Sequence, residues 1–341
     1  MDLYSTRALL GILANLKQAP LFFLNTFFPT TSESESEVID FDVLVGSRRI
    51  APFVSPIVQG RIMESQGYTT QTFKPAYLKP KTPVEPGRAL KRLAGEAIAG
   101  TLSPSEREAA IVAQILAEHL DSIRRRKEVM AVEALRLGQV TVAGDGYPTQ
   151  VVDFQRPNGH TKALTTTARW GENDVSPIRN VEAWGSEMLQ AGGGVLTDVV
   201  FEPVSAWSLF QADPLFKEAV DLRRAEPSAQ DVNLGIMPDH VAYRGRMGNV
   251  NLWTYQDWYV NDGGSEVPLL PNHQVVLVSR PGLEGIQHHG AILDPAAGFV
   301  AVEAFPKAWL ENDPARRVVM TQSAPLVVPR RPAASMGVTV R

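Results

Sequence analysis

The sequence predicts an α+β fold with a long extended arm, and three stretches of the chain lead to that prediction. Residues 41–86 carry six prolines among many apolar residues, residues 104–137 contain neither glycine nor proline after the first position, and residues 180–298 alternate short helices, strands and turns. Each proline removes a backbone donor and biases the preceding residue toward extended geometry. The first stretch is therefore extended, the second is one long helix, and the third is a mixed α/β region.

Composition limits the class of protein before any motif is considered. The 341 residues suffice for one large or two ordinary domains, and 44% hydrophobic with 21% charged residues is typical of globular proteins. A formal net charge of -4 is too balanced for a dedicated nucleic-acid binder. Because the chain has no cysteine, disulfides and thiolate metal sites are excluded, which fits a reducing compartment.

The N-terminal residues predict a short amphipathic helix followed by a polar segment. Ser5 is an N-cap for a helix over residues 6–17, and the serine–glutamate run at 32–37 indicates a solvated acidic loop. The apolar residues near the N-terminus are interrupted by Lys17, Gln18 and Pro20. They therefore match neither a membrane span nor a signal peptide, and no membrane partner is expected.

The proline-rich stretch is the most informative part of the chain. It has little surface of its own to pack against, yet it is rich in apolar residues, among them Ile50, Phe53, Val54, Ile57, Ile62, Phe73, Tyr77 and Leu78. Long loops without helices are uncommon inside compact domains, and this apolar content argues against disorder. We therefore predict an arm that completes its packing on another molecule, which indicates assembly rather than catalysis.

Residues 104–137 predict a single helix that acts as a spine. Ser103 and Glu106 form a capping box, Pro104 occupies the first helical position, and Gly138 ends the helix. At 1.5 Å per residue the helix is roughly 50 Å long. Its centre carries a basic belt of four consecutive residues, Arg124, Arg125, Arg126 and Lys127. Two interpretations remain open: a solvated face with i,i+4 ion pairs, or a contact to acidic neighbours or phosphate.

The remaining elements follow from turn residues and apolar runs. A hairpin is predicted at 139–143 and 149–154, and helices begin at Ser176–Pro177 and at Asp213–Pro214, the latter reaching residue 223. A buried strand is predicted at 195–201, further strands at 250–260 and 274–279, and a long β run at 317–328. Pro325 within that run indicates an edge position or a break.

The residues give no catalytic, cofactor or metal site. The glycines at 192–194 precede a strand, whereas a dinucleotide-binding loop follows one. The adjacent His288 and His289 lack the i,i+4 spacing of helical zinc ligands, and the other histidines are scattered. The aromatic segment 253–259 could stack nucleic-acid bases, but such a strand more often serves the core and an interface. No enzyme activity is predicted.

Four short segments carry a resemblance to a known family. They are FVSPIV at 53–58, FKPAYLKPK at 73–81, NDPAR at 312–316 and QSAPL at 322–326. With the order of elements, they resemble the lambda-type (family E) major capsid proteins of tailed bacteriophages, which have the Hong Kong 97-type fold. The resemblance implies an N-terminal arm (1–40), an extended loop (41–100), a peripheral domain (101–179 and 299–341) that contains the spine helix, and an inserted axial domain (180–298).

The resemblance also implies a function and a set of partners. Family members assemble into pentamers and hexamers of an icosahedral shell that encloses double-stranded DNA, first as a procapsid that later expands. Implied partners are a scaffolding protein, a decoration protein at three-fold positions, the portal and non-specifically bound DNA, with no cofactor. The implied location is the virion, after assembly in the host cytoplasm. The alternatives are another phage assembly subunit, such as a connector or tail tube, or a small-ligand enzyme on the inserted domain.

Intersubunit contacts are expected on three parts of the chain. The expected residues are Phe53, Ile57, Arg61, Phe73, Lys74, Tyr77 and Lys79 in the arm, Arg124, Arg125, Arg126 and Lys127 on the spine, and Arg316 in the C-terminal run. Some relatives of the fold cross-link a loop lysine to a neighbour's asparagine, but the lambda-type group does not. The arm lysines therefore indicate protection of an exposed strand edge.

Overall fold

A computed structural model describes most of the chain. The described residues are 4–16, 21–36, 38–44, 50–51, 53–54, 56–57, 59, 68–92, 102–144, 146–218, 240–261, 263–313 and 315–341. The expected Arg61 contact and the end of the helix predicted to reach residue 223 lie outside these ranges. Within the described residues, no helix is long and apolar enough to cross a membrane.

A helix begins at Pro214, as predicted, and is described as far as residue 218, while seven other α-helices lie wholly in the described residues. They are α1 (Thr6–Asn15), α2 (Phe22–Phe27), α3 (Pro86–Leu90), α4 (Pro104–Leu137), α5 (Pro177–Gln190), α6 (Ala206–Ala212) and α7 (Arg280–Leu283). The spine helix α4 has the predicted bounds. Its capping box is formed, since the Ser103 side chain accepts from the Glu106 backbone and Glu106 accepts from the Ser103 backbone. At the other end Gly138 takes the left-handed conformation, with φ of 73°.

Eighteen strands are described. They are β1 (Thr30–Ser34), β2 (Ile39–Leu44), β3 (Tyr68–Phe73), β4 (Lys81–Val84), β5 (Gln139–Gly144), β6 (Tyr147–Asp153), β7 (Thr161–Ala163), β8 (Asp198–Phe201), β9 (Val241–Met247), β10 (Val250–Tyr255), β11 (Trp258–Val260), β12 (Glu266–Pro268), β13 (Gln274–Val278), β14 (Gly285–Gly290), β15 (Phe305–Asn312), β16 (Ala315–Gln322), β17 (Pro325–Pro329) and β18 (Ser335–Thr339).

Three larger sheets organise these strands. The widest has six strands in the order β7-β18-β13-β8-β10-β9, and two three-stranded sheets have the orders β1-β14-β17 and β15-β16-β4. Three separate hairpins are β2–β3, β5–β6 and β11–β12. Strand β1 runs parallel to β14, so the acidic segment predicted as a loop is in part a sheet edge. Its side chains are polar because they face solvent, which hid the strand from the sequence pattern.

The six-stranded sheet crosses the boundaries expected between the peripheral and axial domains. Strands β7 and β18 come from segments assigned to the peripheral domain, but they extend the sheet built by β8, β10 and β13. In the opposite sense, β14 from the axial segment pairs with β17. The boundaries at residues 179 and 299 therefore cut through hydrogen-bonded sheets. The division into two domains stays a prediction, with β7 and β18 belonging to the axial side.

Two large apolar cores contain side chains of the six-stranded sheet. One packs the C-terminal half of the spine helix against the phenylalanines of α2 and the valines of β17. The other packs α5 and α6 on the six-stranded sheet and is rich in aromatic side chains, including Trp170, Trp184 and Phe201. A smaller core joins α1 to the first half of the spine. The spine thus contacts two of the three cores, which fits its predicted role.

Several elements differ from their predictions. The strand predicted at 250–260 is two strands, β10 and β11, and the strand predicted at 195–201 begins only at Asp198. Helix α1 ends at Asn15, two residues early, with Leu16 already extended. The run predicted at 317–328 is two strands, β16 and β17, and Pro325 begins the second, so the proline marks a break. Helix α6 was not predicted. Glu202 accepts hydrogen bonds from the backbone N–H groups of Val204, Ser205 and Ala206 and so starts α6 from outside it.

Candidate assembly surfaces

The described part of the arm begins as a two-stranded antiparallel hairpin. Strands β2 and β3 pair from Ile39 opposite Phe73 to Leu44 opposite Tyr68. Thr72 Oγ1 donates to Asp40 at 2.5 Å and Thr70 Oγ1 to Asp42 at 2.6 Å, so side chains reinforce the ladder. Six paired residues extend the hairpin by about 20 Å. Part of the proline-rich stretch therefore does pair with its own chain, contrary to the prediction.

Beyond the hairpin, three described apolar residues are almost fully exposed, whereas Val54 between them has 38% of its surface exposed. Ile50 has 91% of its surface exposed, Phe53 107% and Ile57 95%. Burying a side chain of this kind is worth about 1.5–3 kcal/mol relative to leaving it in water. Clustered apolar side chains that remain this exposed on a folded chain typically mark an interaction site. The tip is the part of the arm that keeps the predicted need for a partner.

The root of the arm, in contrast, is anchored on its own subunit. Tyr77 Oη donates to the carbonyl of Ala291 at 2.6 Å, and Leu78 forms a β-bridge with Ser323. Phe73 is half-buried against the main core, and β4 extends the sheet of β15 and β16. The Lys79 ammonium lies 5.0 Å from the centre of the Tyr77 ring. The expected contacts Phe73, Tyr77 and Lys79 therefore serve in part to fix the arm's direction, a role that the sequence did not indicate.

The basic belt of the spine is divided among different partners inside the subunit. Lys127 is 1% exposed; its Nζ lies 2.5 Å from Glu303 Oε1 and 3.2 Å from Gln287 Oε1. Burial lowers the pKa of Lys127, and the Glu303 carboxylate opposes that change. A side chain enclosed in this way cannot reach a neighbouring subunit, so the expectation for Lys127 needs correction.

The two arginines at the start of the belt also have partners within the chain. Arg124 Nε lies 3.9 Å from Glu303, and Arg125 lies 3.5 Å from Asp121 and 3.7 Å from Asp257. Arg125 also donates to the carbonyl of Trp258 at 3.1 Å. Both interpretations of the belt are therefore incomplete. It contains one i,i+4 pair, but its main role in the subunit is to connect the spine to β11 and to the segment before β15.

Arg126 faces a different environment, a groove of about 870 Å³. The groove is bounded by the root of the arm, the centre of the spine and β5. Its lining includes Tyr77, Lys79, Arg126, Glu133 and Tyr259. Arg126 is thus the belt residue whose surroundings leave most room for a neighbour.

The two remaining expected contacts, Arg316 and Lys74, are exposed on the subunit. Arg316 Nε lies 2.6 Å from Glu311 across the β15–β16 hairpin, and both side chains are more than one-third exposed. Such an exposed pair contributes little to stability. Lys74 is exposed where the chain leaves β3. Neither residue is enclosed by its own subunit.

A buried carboxylate joins three elements and was not predicted from the sequence. Glu128 lies fully buried on the spine and accepts hydrogen bonds from the backbone N–H groups of Phe23 and Leu24, both at 2.8 Å. Tyr255 of β10 donates to the same carboxylate at 3.3 Å. Because Leu21 offers no side-chain cap, Glu128 caps α2 in its place. A glutamate followed by apolar residues at Val129 and Met130 would have been the only signal.

The histidines do not gather into a metal site. Among the described residues, no group of three or more histidine, aspartate or glutamate side chains is placed to hold a metal ion. His288 and His289 are both buried in β14, and burial lowers the pKa of His289 to about 4. These histidines are therefore neutral members of the core at physiological pH.

The fold identifies the class of protein. The structure is similar to a prophage protein of Escherichia coli CFT073 described as a capsid protein, with a TM-score of 0.73, 24% identity, and coverage of 98% of this chain and 99% of that one. It is also similar to the capsid subunit of cyanophage A-1(L), with a TM-score of 0.51, 10% identity, and coverage of 96% and 94%. The chain has a mixed α+β fold that resembles the fold of Hong Kong 97-type capsid proteins.

Sequence comparison then gives the family. Residues 5–340 match the family described as Phage major capsid protein E, and the chain belongs to that family. It is 30% identical over 335 residues to the major capsid protein of Escherichia phage lambda, covering 96% of both chains. Against the major capsid protein of Escherichia phage N15 it is 31% identical over 335 residues, again covering 96% of both.

Family membership confirms the predicted function in its main terms. The chain is a major capsid protein of a tailed phage, a structural component of the head shell and of the virion rather than an enzyme. The prediction of a lambda-type capsid family is confirmed as well. The alternatives of a connector, a tail-tube subunit and a small-ligand enzyme are not supported by any of these matches.

Proposed function

We propose that copies of the chain form pentamers and hexamers of an icosahedral shell around double-stranded DNA, and that the arm of each copy lies over its neighbour. The exposed apolar tip carries this proposal, since Phe53 and Ile57 are almost wholly in solvent on the single subunit. A shell repeats head-to-tail contacts that have to close, so each subunit needs a part that reaches outward. The paired hairpin supports that role.

The same proposal assigns a role to each segment of the chain. Residues 1–40 act as an N-terminal arm and 41–100 as the extended loop. The spine helix and the C-terminal strands β15 to β17 form the peripheral domain, and the inserted region together with β7 and β18 forms the axial domain that meets its copies at five-fold and six-fold axes. A scaffolding protein, a decoration protein at three-fold positions, the portal and non-specifically bound DNA are its proposed partners. The modest net charge of -4 supports weak rather than tight DNA contact.

Introducing charge at the apolar tip tests the proposal. The double variant Phe53→Asp with Ile57→Asp places two carboxylates where apolar burial on a neighbour is expected. We expect normal folding, because neither side chain is packed on its own subunit, but no closed shells. The measurement is negative-stain electron microscopy and sedimentation of the full chain expressed together with a lambda-type scaffolding protein.

Val151→Asp is the matched control. Val151 is an apolar side chain with 54% of its surface exposed, and it lies on the β5–β6 hairpin rather than on the arm. The control is expected to give shells in the yield of the unmodified chain. Normal shells from the double variant, or equal loss in both variants, would contradict the proposed role of the tip.

A further inference from the structure

The root of the arm is fastened to one loop of its own subunit, residues 291–301, which lies between β14 and β15. Tyr77 Oη donates to the carbonyl of Ala291 at 2.6 Å and accepts from the Leu293 N–H at 3.2 Å. One hydroxyl group therefore bridges two main-chain groups that are two residues apart. Because that bridge forms only while the main chain of the loop keeps one conformation, a group that fixes the loop also fixes Tyr77.

The base of this loop is closed by main-chain hydrogen bonds. Ala291 and Ala301 form an antiparallel bridge, and the Ile292 N–H donates to the carbonyl of Val300 at 3.0 Å. Between these ends the chain makes one 3-10 turn, Pro295–Ala297. These bonds lie within the loop, so they shape it without attaching it to the neighbouring sheet.

A buried carboxylate attaches the loop to the sheet of β15 and β16. Asp294 is 6% exposed and accepts from Lys307 Nζ at 2.8 and 3.0 Å and from Gln322 Nε2 at 2.8 Å. The same carboxylate accepts from the Ala296 N–H at 2.9 Å and so begins the turn of the loop. Strands β15 and β16 pair with each other through eight residue pairs, so the sheet does not depend on Asp294. The loop, in contrast, is held on the sheet by it.

The root of the arm lies on the parts of the chain that this carboxylate joins. A Cβ added at Gly290, just before the loop, would lie 2.8 Å from Pro75 Cγ, so the root packs closely there. Leu78 forms a β-bridge with Ser323, the residue that follows β16. The root therefore lies across the loop and the end of β16, which Asp294 holds together.

We propose that Asp294 is a positioning residue for the arm. By holding the 291–301 loop on β15 and β16 it holds Tyr77, and through Tyr77 it sets the orientation of the β2–β3 hairpin relative to the spine. The inference concerns the single subunit, and only its consequence for shells rests on the proposed function.

An asparagine in place of Asp294 would keep the volume of the side chain but break this attachment. The substitution turns one of the two acceptor oxygens into a donor. That donor faces Lys307 whichever way the amide is turned, because Lys307 Nζ lies within 3.0 Å of both carboxylate oxygens. Two donors cannot bond to each other, so the loop loses its connection to the sheet.

The absence of cysteine from the sequence allows two spin labels to be placed at chosen sites. Gln71→Cys places one label on β3 of the hairpin, and Ala110→Cys places the other on an exposed position of the spine. Pulsed electron paramagnetic resonance then measures the distribution of distances between hairpin and spine in the purified full-length subunit. We expect one narrow distribution in the labelled parent and, in Asp294→Asn, a distribution broader by about twofold or more.

Asp198→Asn is the matched control. Asp198 is 1% exposed and accepts from Arg280, Asn251 and Trp253, but it lies on β8, whereas the root contacts the loop and the end of β16. This control is expected to lower the melting temperature at least as much as Asp294→Asn does and to keep the narrow distribution. An unchanged width in Asp294→Asn, or equal broadening in both variants, overturns the proposal.

Tyr77→Phe tests the path from Asp294 to the arm. It removes only the hydroxyl group that bridges the loop, so we expect it to broaden the distribution as Asp294→Asn does. Because both substitutions act through one link, the double variant should be little broader than either single variant. A narrow distribution in Tyr77→Phe, or additive broadening in the double variant, overturns the proposal. The Tyr77→Phe result decides by itself if Asp294→Asn does not fold.

Electron microscopy separates this inference from the proposed function. With a lambda-type scaffolding protein, we expect Asp294→Asn to lower the yield of closed shells by about threefold or more, since hydrogen bonds to a charged group are lost. Closed shells in normal yield would overturn the role of Asp294 in assembly. If the unmodified chain itself forms no closed shells, the proposed function fails, whereas the distance distributions still decide the inference on Asp294.

Discussion

Glu128 is a single side chain whose protonation is linked to the folding of the subunit. Burial raises its pKa to about 7, against the hydrogen bonds from Leu24, Phe23 and Tyr255, and the neighbouring Asp257 raises it further. Arg125 lies 3.7 Å from Asp257 and moderates that carboxylate. The folded subunit therefore binds the Glu128 proton more tightly than the unfolded chain does, and ionised Glu128 costs stability.

The Glu128→Gln substitution is expected to reduce the pH dependence of the unfolding free energy. Because the folded pKa of about 7 exceeds the ordinary value of 4.5, the Glu128 contribution is full below about pH 4.5 and is lost as the pH rises toward 7. Relative to Glu128→Gln, the unmodified subunit should therefore lose about 2 kcal/mol of unfolding free energy between pH 5 and pH 8. Urea denaturation at the two pH values measures this difference.

The comparison between two variants isolates Glu128 from the buried histidines. His289 has a lowered pKa and gives a pH dependence of the opposite sign, but it is present in both proteins. Glu118→Gln, at an exposed carboxylate of the same helix that accepts from Gln114, is the matched control for the loss of a carboxyl group from the spine. A constant difference between the unmodified subunit and Glu128→Gln across this pH range would be evidence against a shifted carboxyl group.

Lys127 and Arg126 are adjacent in sequence, but we expect their replacement by alanine to change the stability of the subunit by different amounts. Lys127→Ala removes the cation closest to Glu303 and leaves a cavity at a buried site. We therefore expect the unfolding free energy to fall by about 2 kcal/mol. Glu303 keeps 38% side-chain exposure and Arg124 at 3.9 Å, which limits the effect. Arg126→Ala is the control on the next position and should cost much less. Thermal unfolding that ranks the two variants in the reverse order would contradict the burial of Lys127.

At the scale of elements, the end of the spine depends on close contact with β18. A Cβ added at Gly337 would lie 1.9 Å from the Arg136 carbonyl oxygen, which belongs to the spine backbone and cannot rotate away. Gly337→Ala is therefore expected to destabilise the subunit by about 2 kcal/mol or more. Gly159→Ala, where an added Cβ meets nothing within 4 Å, is the control. Equal melting temperatures for the two variants would show that the helix and strand are not in this contact.

Elements with local boundary signals were predictable from the sequence, and the spine helix is the clearest example. Ser103, Glu106 and Gly138 define its ends through contacts within a few residues, so no tertiary information was needed. Strand β1 was missed because its alternating serine and glutamate pattern carries no apolar face, and only pairing with β14 makes it a strand. Helix α6 was missed because Glu202, its cap, looks like an ordinary acidic residue in sequence.

For the candidate assembly residues, the sequence predicted which kinds of side chain would be involved but not which residues they contact. Phe53 and Ile57 were chosen as apolar residues in an extended arm, and both are exposed. Lys127 was chosen from a run of four cations, but the facing Glu303 and Gln287 lie more than 150 positions away in the sequence. Which side of a helix a charge faces, and what lies opposite it, depends on packing that a single sequence does not encode locally.

At the scale of the whole molecule, the subunit combines an anchored root with an exposed tip. The root binds its own core through Tyr77, Leu78 and β4, so the direction of the arm is fixed. The tip leaves Ile50, Phe53 and Ile57 in solvent. A fixed direction matters in a closed shell, because an arm held in one orientation reaches the same place on every neighbour.

Shortening the arm tests most directly whether the tip acts between subunits. Replacing residues 46–66 with a short glycine–serine turn keeps β2, β3 and the anchored root intact, whereas a deletion of residues 60–72 would remove most of β3. The measurement pairs the melting temperature of the purified subunit with shell formation seen by electron microscopy. A melting temperature within a few degrees of the unmodified subunit and a complete loss of closed shells is the predicted result. Closed shells, or a subunit that unfolds once the tip is removed, would contradict the account.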